Sequence, residues 1–286
     1  MNTPAVSRAR VPTHRAAHRV LRGDPVMAAL ISAVGPRRIA TLGGLVSLEQ
    51  RSPYESLGRA IAHQQLNGKA AESILNRLRG LFGQRFPTPE ELLAADVEQL
   101  RGTGFSYSKI AALKDLALKA LEGVVPAAAE LAPLTDLQII ERLTTVRGIG
   151  RWTVEMMLIF QLGRPDVLPV DDFGVRNGFR LAYRLSGMPQ PRALAEYGER
   201  WKPHRSLAAW YLWRAVELER SGCLPRCARP PRIAIRKLAS QVAPVTRRAR
   251  AQIRKVGRSA PAAPPVRTLR TSRAATRKSP SADRRS

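Results

Sequence analysis

The sequence predicts an all-α fold, and three observations lead to this prediction. Short patterns typical of helix N-termini recur along the chain. Apolar residues between them follow helical spacing. The alternating, β-branched patterns that indicate strands are scarce. With 286 residues, 44% of them hydrophobic, the chain can bury a core, and no apolar run is long enough to span a bilayer.

Capping signals mark where the predicted helices begin. Ser52 and Thr88 each precede a Pro and, three residues on, a Glu, whereas Thr135 precedes a Gln at the same spacing. Helical spacing after Ser52 is interrupted near Asn67 and Gly68. The later predicted helices cover residues 110–121, about 136–143 and 151–162, and a last one starts near Phe173.

Positive charge is concentrated at the two ends of the chain. The net charge is +26, of which residues 226–286, with eighteen Lys or Arg and one acid, carry +17. Residues 1–22 carry five Arg and no acid, which leaves +4 for residues 23–225. We therefore expect a folded domain over 23–225 between disordered basic segments at 1–22 and 226–286. The C-terminal segment suits salt-sensitive attraction to phosphates, the alternative being a solvated tail without a role.

Two further features narrow the class of protein. The N-terminal segment lacks the apolar stretch of a secretory signal, so we expect a bacterial cytoplasmic location. The two cysteines, Cys223 and Cys227, are too few for a disulfide framework or for a four-cysteine zinc or iron–sulfur site.

Residues 143–153, LTTVRGIGRWT, are predicted to join two helices through a glycine turn. Gly148 and Gly150 permit positive φ and a close approach of the backbone to another surface. A helix that opens there points unpaired N–H groups outward, which favours an anion. Glycines in a tight turn between helices are weak evidence by themselves, but an acidic pair, Asp171 and Asp172, follows shortly after.

Together with PVDDF at 169–173, this stretch resembles the helix-hairpin-helix, Gly/Pro, Asp motif of base-excision DNA glycosylases. The match is closest to the DNA-3-methyladenine glycosylase II branch. Residues 60–71, AIAHQQLNGKAA, and 199–213, ERWKPHRS leading to WYLW, resemble the same branch. The resemblance runs in order over about 25–220 and implies two helical subdomains with the active-site cleft between them. Longer bacterial members carry an N-terminal mixed α/β domain, whereas only about 50 residues precede the first of these stretches, so we expect a protein similar to the compact, all-helical members.

The resemblance places the catalytic aspartate at Asp172. A carboxylate there would stabilise the positive charge that builds on the deoxyribose as the N-glycosidic bond breaks. The alternative is that Asp171 and Asp172 only cap the helix starting near Phe173, a role that fits Asp171 better.

The resemblance also assigns the base-binding residues and the type of reaction. Bifunctional relatives carry a nucleophilic lysine where this chain has Trp152, which implies a monofunctional hydrolase that leaves an abasic site. Trp152 and Trp213 match the aromatic pocket, where indole faces attract cationic alkylated purines such as 3-methyladenine and 7-methylguanine. Met156 takes a position that is aromatic in some relatives. Either tryptophan alone is equally consistent with a core residue.

The DNA contacts implied by the resemblance fall in two places. Gln64, Gln65 and Leu66 begin the loop that fills the gap left by a flipped nucleotide, with Gln65 as the wedge and Leu66 as the alternative. An amide pair that satisfies a helix end would explain the same residues. Phosphates would be held by the hairpin through Arg147, Gly148, Gly150 and Arg151.

No cofactor is expected for catalysis. In relatives, hairpin carbonyls hold a monovalent cation, Na⁺ or K⁺, that bridges to a DNA phosphate, and the matching carbonyls are those of Thr144, Val146 and Gly148. The Gly-rich stretch 102–109, another helix entry with a cation, is interpreted mainly as a turn and as a candidate DNA contact.

We therefore expect a monomeric enzyme of base-excision repair that acts on double-stranded DNA containing alkylated purines. Two alternatives remain open. One is a non-catalytic helix-hairpin-helix protein that only binds DNA. The other is a glycosylase for a neutral lesion such as hypoxanthine or ethenoadenine.

Overall fold

The computed structural model describes residues 14–36 and 51–225, and in these ranges the chain forms α-helices and no β-strand. The all-α prediction is confirmed. No helix within these ranges is long and apolar enough to cross a membrane. The helices are α1 (His14–Arg22), α2 (Pro25–Val34), α3 (Pro53–His63), α4 (Gly68–Leu81), α5 (Pro89–Ala94), α6 (Val97–Gly102), α7 (Tyr107–Leu121), α8 (Ala128–Leu131), α9 (Asp136–Leu143), α10 (Arg151–Phe160), α11 (Phe173–Ala182), α12 (Pro191–Gly198) and α13 (Arg205–Arg220), with a 3₁₀ turn at Glu199–Trp201.

The predicted caps form where the sequence places them. Thr88 and Thr135 make reciprocal capping boxes with Glu91 and Gln138. Ser52 accepts the N–H of Glu55, whose carboxylate lies 3.7 Å from Arg51. Asn67, in the predicted interruption, is the N-cap of α4. Helix α10 ends at Phe160 and not at residue 162, and Gly163 then takes a left-handed φ of 63°.

Two hydrophobic cores organise the helices. Helices α3 to α10 surround the first core, and α1, α2 and α11 to α13 surround the second. Phe160 and Trp213 pack against both. The two subdomains expected from the resemblance therefore correspond to two cores, and their boundary runs past Trp213.

A buried aspartate anchors the second core. Asp24 accepts hydrogen bonds from the hydroxyls of Tyr183 (2.6 Å) and Tyr197 (3.1 Å) and from the indole N–H of Trp201 (3.3 Å). Four tryptophans are present in the sequence, and this one is fully buried. Trp201 is therefore a structural residue.

The expectation of a disordered segment over 1–22 is wrong for residues 14–22, which form α1. Leu21 is fully buried in the second core, Ala17 is 4% exposed, and His18 Nε2 lies 3.0 Å from the Tyr211 hydroxyl on α13. The helix was not predicted because residues 1–22 were judged by their charge. The apolar stripe that Ala17 and Leu21 form, four residues apart among the arginines, is short and was overlooked. Residues 1–13 and the tail 226–286 lie outside the described residues.

Candidate active site

Asp172 stands at the start of α11 and caps it. Its backbone is extended (φ −65°, ψ 124°), and its side chain accepts the N–H of Val175 at 2.7 Å. Asp172, and not Asp171, is therefore the N-cap, which corrects the expectation that Asp171 fits that role better. The reason is position, because the cap is the last non-helical residue before Phe173. Asp171 is exposed.

Two indole N–H groups also converge on this carboxylate. Trp152 donates to Oδ2 at 2.7 Å, and Trp213 donates to Oδ1 at 2.8 Å. With the Val175 N–H, three donors point at a side chain that is only 9% exposed. An ionised carboxylate is purely an acceptor, so this arrangement suits an anion at Asp172.

The three site residues come from three helices that span the boundary between the two cores. Trp152 lies in the first turn of α10, Asp172 caps α11, and Trp213 lies within α13. The structure thus brings together the predicted catalytic residue and both predicted pocket tryptophans. That they share a hydrogen-bond partner was not anticipated.

Two glycines of α11 allow α13 and the Trp213 ring to pack closely against α11 and Asp172. A Cβ at Gly178 would lie 1.9 Å from the Leu212 carbonyl oxygen, so α11 and α13 touch at backbone distance. A Cβ at Gly174 would lie 2.8 Å from Trp213 Cδ1 and 3.1 Å from Asp172 Oδ1. Neither glycine was predicted as a site residue, although two glycines four residues apart within a helix indicate close helix packing.

The ERWKPHRS stretch holds the loop that leads to Asp172. The Ser206 hydroxyl donates to the Arg164 carbonyl at 2.6 Å and accepts the Val167 N–H at 2.9 Å. Arg205 pairs with Asp166 at 2.8 Å. These bonds fix the loop between α10 and α11, from which the chain enters α11 at Asp172.

The aromatic rings around the carboxylate differ in exposure. The Trp152 side chain is about half exposed, at 51%, whereas Trp213 is half-buried and stacks on Phe160 with a centroid distance of 5.6 Å. Met156, one turn after Trp152 on α10, is half-buried against the first core. Trp152 therefore offers an open indole surface beside the carboxylate, and one face of Trp213 is already covered.

The hairpin between α9 and α10 contains one left-handed glycine and not two. Gly148 has a φ of 78°, whereas Gly150 is extended (φ −95°, ψ 167°) and caps α10. Gly150 has no side chain to cap the helix, and a Cβ placed there would meet no atom within 4 Å. Open space thus faces the positive end of α10, which is the geometry of an anion site.

The two arginines beside this site, Arg147 and Arg151, have different environments. Arg147 is exposed, and Arg151 pairs with Glu155 at 2.9 Å. The Glu155 side chain is 4% exposed. Burial raises the pKa of Glu155 above its ordinary value, the hydrogen bond and charge of Arg151 act in the opposite direction, and the nearby Asp171 and Asp172 raise it further. Glu155, which was not predicted from the sequence, orients Arg151 at the start of α10.

The three residues of the predicted intercalating loop have different environments. The Gln64 amide donates to the Gly148 carbonyl at 2.7 Å, so it contacts the hairpin. Gln65 is exposed and has a left-handed φ of 59°, and Leu66 is 37% exposed. The two candidate wedges are thus the outward residues. The Gln64 amide contacts a hairpin carbonyl and not a helix end, which differs from the alternative of an amide pair that satisfies a helix end.

Two of the three carbonyls predicted to hold a cation already accept a hydrogen bond. The Val146 oxygen accepts the Ile149 N–H at 3.0 Å, and the Gly148 oxygen accepts from Gln64. A carbonyl oxygen has two lone pairs, so one acceptor site remains on each. Within residues 14–36 and 51–225, no three His, Cys, Asp or Glu side chains form a cluster that could hold a metal ion.

Residues 102–109 end in a lysine that points into the protein. Lys109 Nζ donates to the carbonyls of Ala62 (2.7 Å) and Gln64 (2.8 Å), and burial lowers its pKa. Further along α7, Asp115 accepts the backbone N–H of Arg147 at 2.7 Å. Lys109 therefore ties α7 to the end of α3 and to the loop that follows it. DNA contact by the turn at 102–109 stays a prediction.

Comparison with known proteins finds relatives that are similar in sequence. The chain is 46% identical over 173 residues to DNA-3-methyladenine glycosylase 1 of Schizosaccharomyces pombe, covering 60% of this chain and 76% of the relative. It is 34% identical over 201 residues to the alkylbase DNA glycosidase-like protein mag2 of the same organism, covering 70% of this chain and 92% of the relative.

Solved structures are similar over the same region. The S. pombe 3-methyladenine DNA glycosylase Mag1 in complex with abasic DNA matches with a TM-score of 0.61 and 43% identity, covering 71% of this chain and 97% of that one. A DNA-3-methyladenine glycosidase from Bacillus halodurans matches with a TM-score of 0.57 and 31% identity, covering 69% and 91%. The family model of the HhH-GPD superfamily matches residues 59–204, which include the loop, the hairpin and Asp172. The chain therefore belongs to the HhH-GPD superfamily of base excision DNA repair proteins.

Proposed function

We propose that this protein is a monofunctional DNA glycosylase that removes alkylated purines, of the 3-methyladenine and 7-methylguanine type, and leaves an abasic site. The observation that carries the proposal is the Asp172 carboxylate, held by the N–H groups of Trp152 and Trp213. Relatives 46% and 34% identical are named for alkylated bases, which supports the same substrate class here.

In this proposal Asp172 acts through its charge. Breaking the N-glycosidic bond places positive charge on the sugar, and a carboxylate in a site with little water stabilises that charge more strongly than it would in bulk solvent. The three donors fix the position of the carboxylate before the reaction, so it need not reorganise during bond cleavage. Asp172 also serves to orient the attacking water.

The tryptophans recognise the base in the same scheme. Alkylated purines of this type are cations, and an indole face attracts a cation by about 0.5–2 kcal/mol. A cationic base is a good leaving group, so the reaction needs no general acid. The open face of Trp152 is the surface on which the flipped base would stack, with Met156 beside it on α10.

Strand cleavage by bifunctional relatives proceeds through a Schiff base, which needs an amine nucleophile. At the position of their lysine this chain has Trp152, which has no amine. We therefore infer that the enzyme hydrolyses the bond without cutting the strand.

DNA is held at the hairpin and the loop in this proposal. The open N-terminus of α10, with Arg147 and Arg151, takes a phosphate, and Gln65 or Leu66 fills the gap left by the flipped nucleotide. We expect catalysis to need no cofactor. A monovalent cation on the carbonyls of the hairpin, a monomeric state and a bacterial cytoplasmic location stay proposals.

The experiment is release of methylated bases from alkylated DNA, measured in single turnover for the wild type, Asp172→Asn and Asp171→Asn. The last is a matched control, because it makes the same change at the exposed neighbour. We expect Asp172→Asn to lower the rate by about 10²–10³-fold, the range found when one stabilising group is removed. Asp171→Asn should stay within about threefold.

Strand cleavage of the product only after alkali would confirm the absence of lyase activity. Equal rates for the two variants would refute the role of Asp172. DNA binding without base release by the wild type would instead favour the non-catalytic alternative. Faster release of hypoxanthine or ethenoadenine from oligonucleotides that carry these lesions would favour a neutral lesion as substrate.

A further inference from the structure

Gln64 connects two parts of the surface that the proposed function assigns to different tasks. Its backbone belongs to the loop that carries the candidate wedges, and its amide donates to the Gly148 carbonyl 84 residues away, at 2.7 Å. Gly148 is the left-handed glycine of the phosphate-binding hairpin. One hydrogen bond thus joins the intercalating loop directly to the hairpin.

Helix α7 braces both elements from behind. Lys109 donates to the Ala62 carbonyl in the last turn of α3 and to the Gln64 carbonyl of the loop, and Asp115 accepts the Arg147 N–H of the hairpin. Ala112 lies between these two residues on α7 and faces the hairpin, because a Cβ added to Gly148 would lie 3.3 Å from the Cβ of Ala112. These three residues are spaced three apart, so they share one side of α7.

The physical consequence concerns where the wedge enters the duplex. A wedge can offset the cost of unstacking, a few kcal/mol, only if it arrives at the step from which the nucleotide leaves. The hairpin defines the position of the backbone, and the loop carries the wedge. Their separation must therefore be set before DNA binds, since misplacement by about 1 Å can cost a factor of about 10² in rate.

We propose that Gln64 is a positioning residue that fixes the wedge loop to the phosphate-binding hairpin, acting with Lys109 and Asp115 on α7, and that it makes no contact with DNA itself. This inference rests on the proposed function. It assigns Gln64 a role in base flipping that is separate from DNA affinity and from bond cleavage.

The test compares Gln64→Ala and Gln64→Glu with the wild type in the full-length protein. The Glu variant keeps the size of the side chain but has no donor for the Gly148 carbonyl. Gln99→Ala is the matched control, an exposed glutamine on α6 outside this arrangement. Substrates carry 7-methylguanine either in a paired duplex or in a single-nucleotide bulge, where the base is already unstacked, with 2-aminopurine beside the lesion to report flipping.

We expect Gln64→Ala to bind undamaged duplex within twofold of the wild type. On the paired substrate it should lose most of the flipping fluorescence and about tenfold in single-turnover rate, as for the loss of one ordinary hydrogen bond. The bulged substrate should restore the rate to within about twofold. Gln64→Glu should show a larger loss on the paired substrate, and Gln99→Ala should match the wild type.

An equal deficit on both substrates would overturn the inference, and so would an unchanged rate on the paired one. A parallel loss of duplex affinity would show that Gln64 contacts DNA, which also contradicts it. If the wild type releases no base from either substrate, the proposed function fails. The flipping fluorescence then decides about Gln64 alone, because its loss in Gln64→Ala supports the positioning role and its persistence refutes it.

Discussion

Replacing Gly174 by alanine tests whether the shared hydrogen bonding at Asp172 matters for activity. Gly174 lies in the first turn of α11, where alanine improves helix propensity by up to about 1 kcal/mol. Propensity alone therefore predicts a neutral or stabilised protein. The structure predicts damage, because the new Cβ would lie 2.8 Å from Cδ1 and 3.0 Å from Nε1 of Trp213.

The size of the effect follows from these distances. Carbon atoms pack at about 3.5–4.0 Å, so the indole has to move by about 0.7–1.2 Å. The Trp213 to Asp172 hydrogen bond, now 2.8 Å long, then stretches to about the 3.5 Å at which such a bond is effectively lost. The ring cannot shift without disturbing its stacking on Phe160. We expect the single-turnover rate of base release to fall by about 10–100-fold.

The assay pairs that rate with urea unfolding. Gly80→Ala is the control, since Gly80 is an exposed glycine within α4 whose new Cβ would meet only the end of the Gln84 side chain, at 4.0 Å. The control should keep full activity. Gly174→Ala should lose activity even at temperatures where urea unfolding shows that the variant is folded, so that a loss of stability does not explain the lower rate. Activity within threefold of the wild type would refute the claim that Trp213 holds the carboxylate in place.

Three further predictions concern the scaffold and the tail. Gly178→Ala should destabilise the protein by about 3 kcal/mol or more in urea unfolding, because its Cβ would overlap the Leu212 carbonyl oxygen at 1.9 Å; an unchanged midpoint would contradict the close packing of α11 on α13. Burial lowers the pKa of His204, so below about pH 6.5 the unfolded state binds a proton that the folded state does not. The free energy of unfolding should therefore fall as the pH drops below that value, by at most ~1.4 kcal/mol per pH unit. Urea unfolding from pH 5 to 8 measures this dependence, and His204→Gln should flatten it. Deletion of residues 226–286 should weaken DNA binding and reduce its salt dependence, because these residues carry much of the positive charge. The single-turnover rate of base release at saturating enzyme should stay nearly the same. A collapse of that rate would show that the tail belongs to the active domain.

Local signals in the sequence predicted much of the fold. The helix starts after Ser52, Thr88 and Thr135 were correct because a cap depends on residues within one turn of each other. Helix α1 was missed because its charge outweighed a stripe of only two buried apolar residues, Ala17 and Leu21. Asp171 was preferred as the cap over Asp172 because sequence pattern places a helix boundary only to within a residue or two.

The candidate site was predicted residue by residue, but not its connections. The resemblance placed Asp172, Trp152 and Trp213 in one site, and the structure brings them together. It did not indicate that both indoles donate to the carboxylate or that Gln64 contacts the hairpin. The catalytic role of Asp172 stays a prediction until base release is measured.

The sequence by itself determined the helical character, the glycine hairpin, the acid that follows it and the absence of a lysine at Trp152, because each of these depends on residue type or on neighbours within a few positions. Tertiary structure alone decided that Trp213 reaches Asp172 across 41 residues and that Gln64 reaches Gly148 across 84. Those bonds exist because α11 and α13 approach to backbone distance at Gly178 and because α7 supports loop and hairpin together. Such approaches depend on how two cores pack, which no short stretch of sequence encodes.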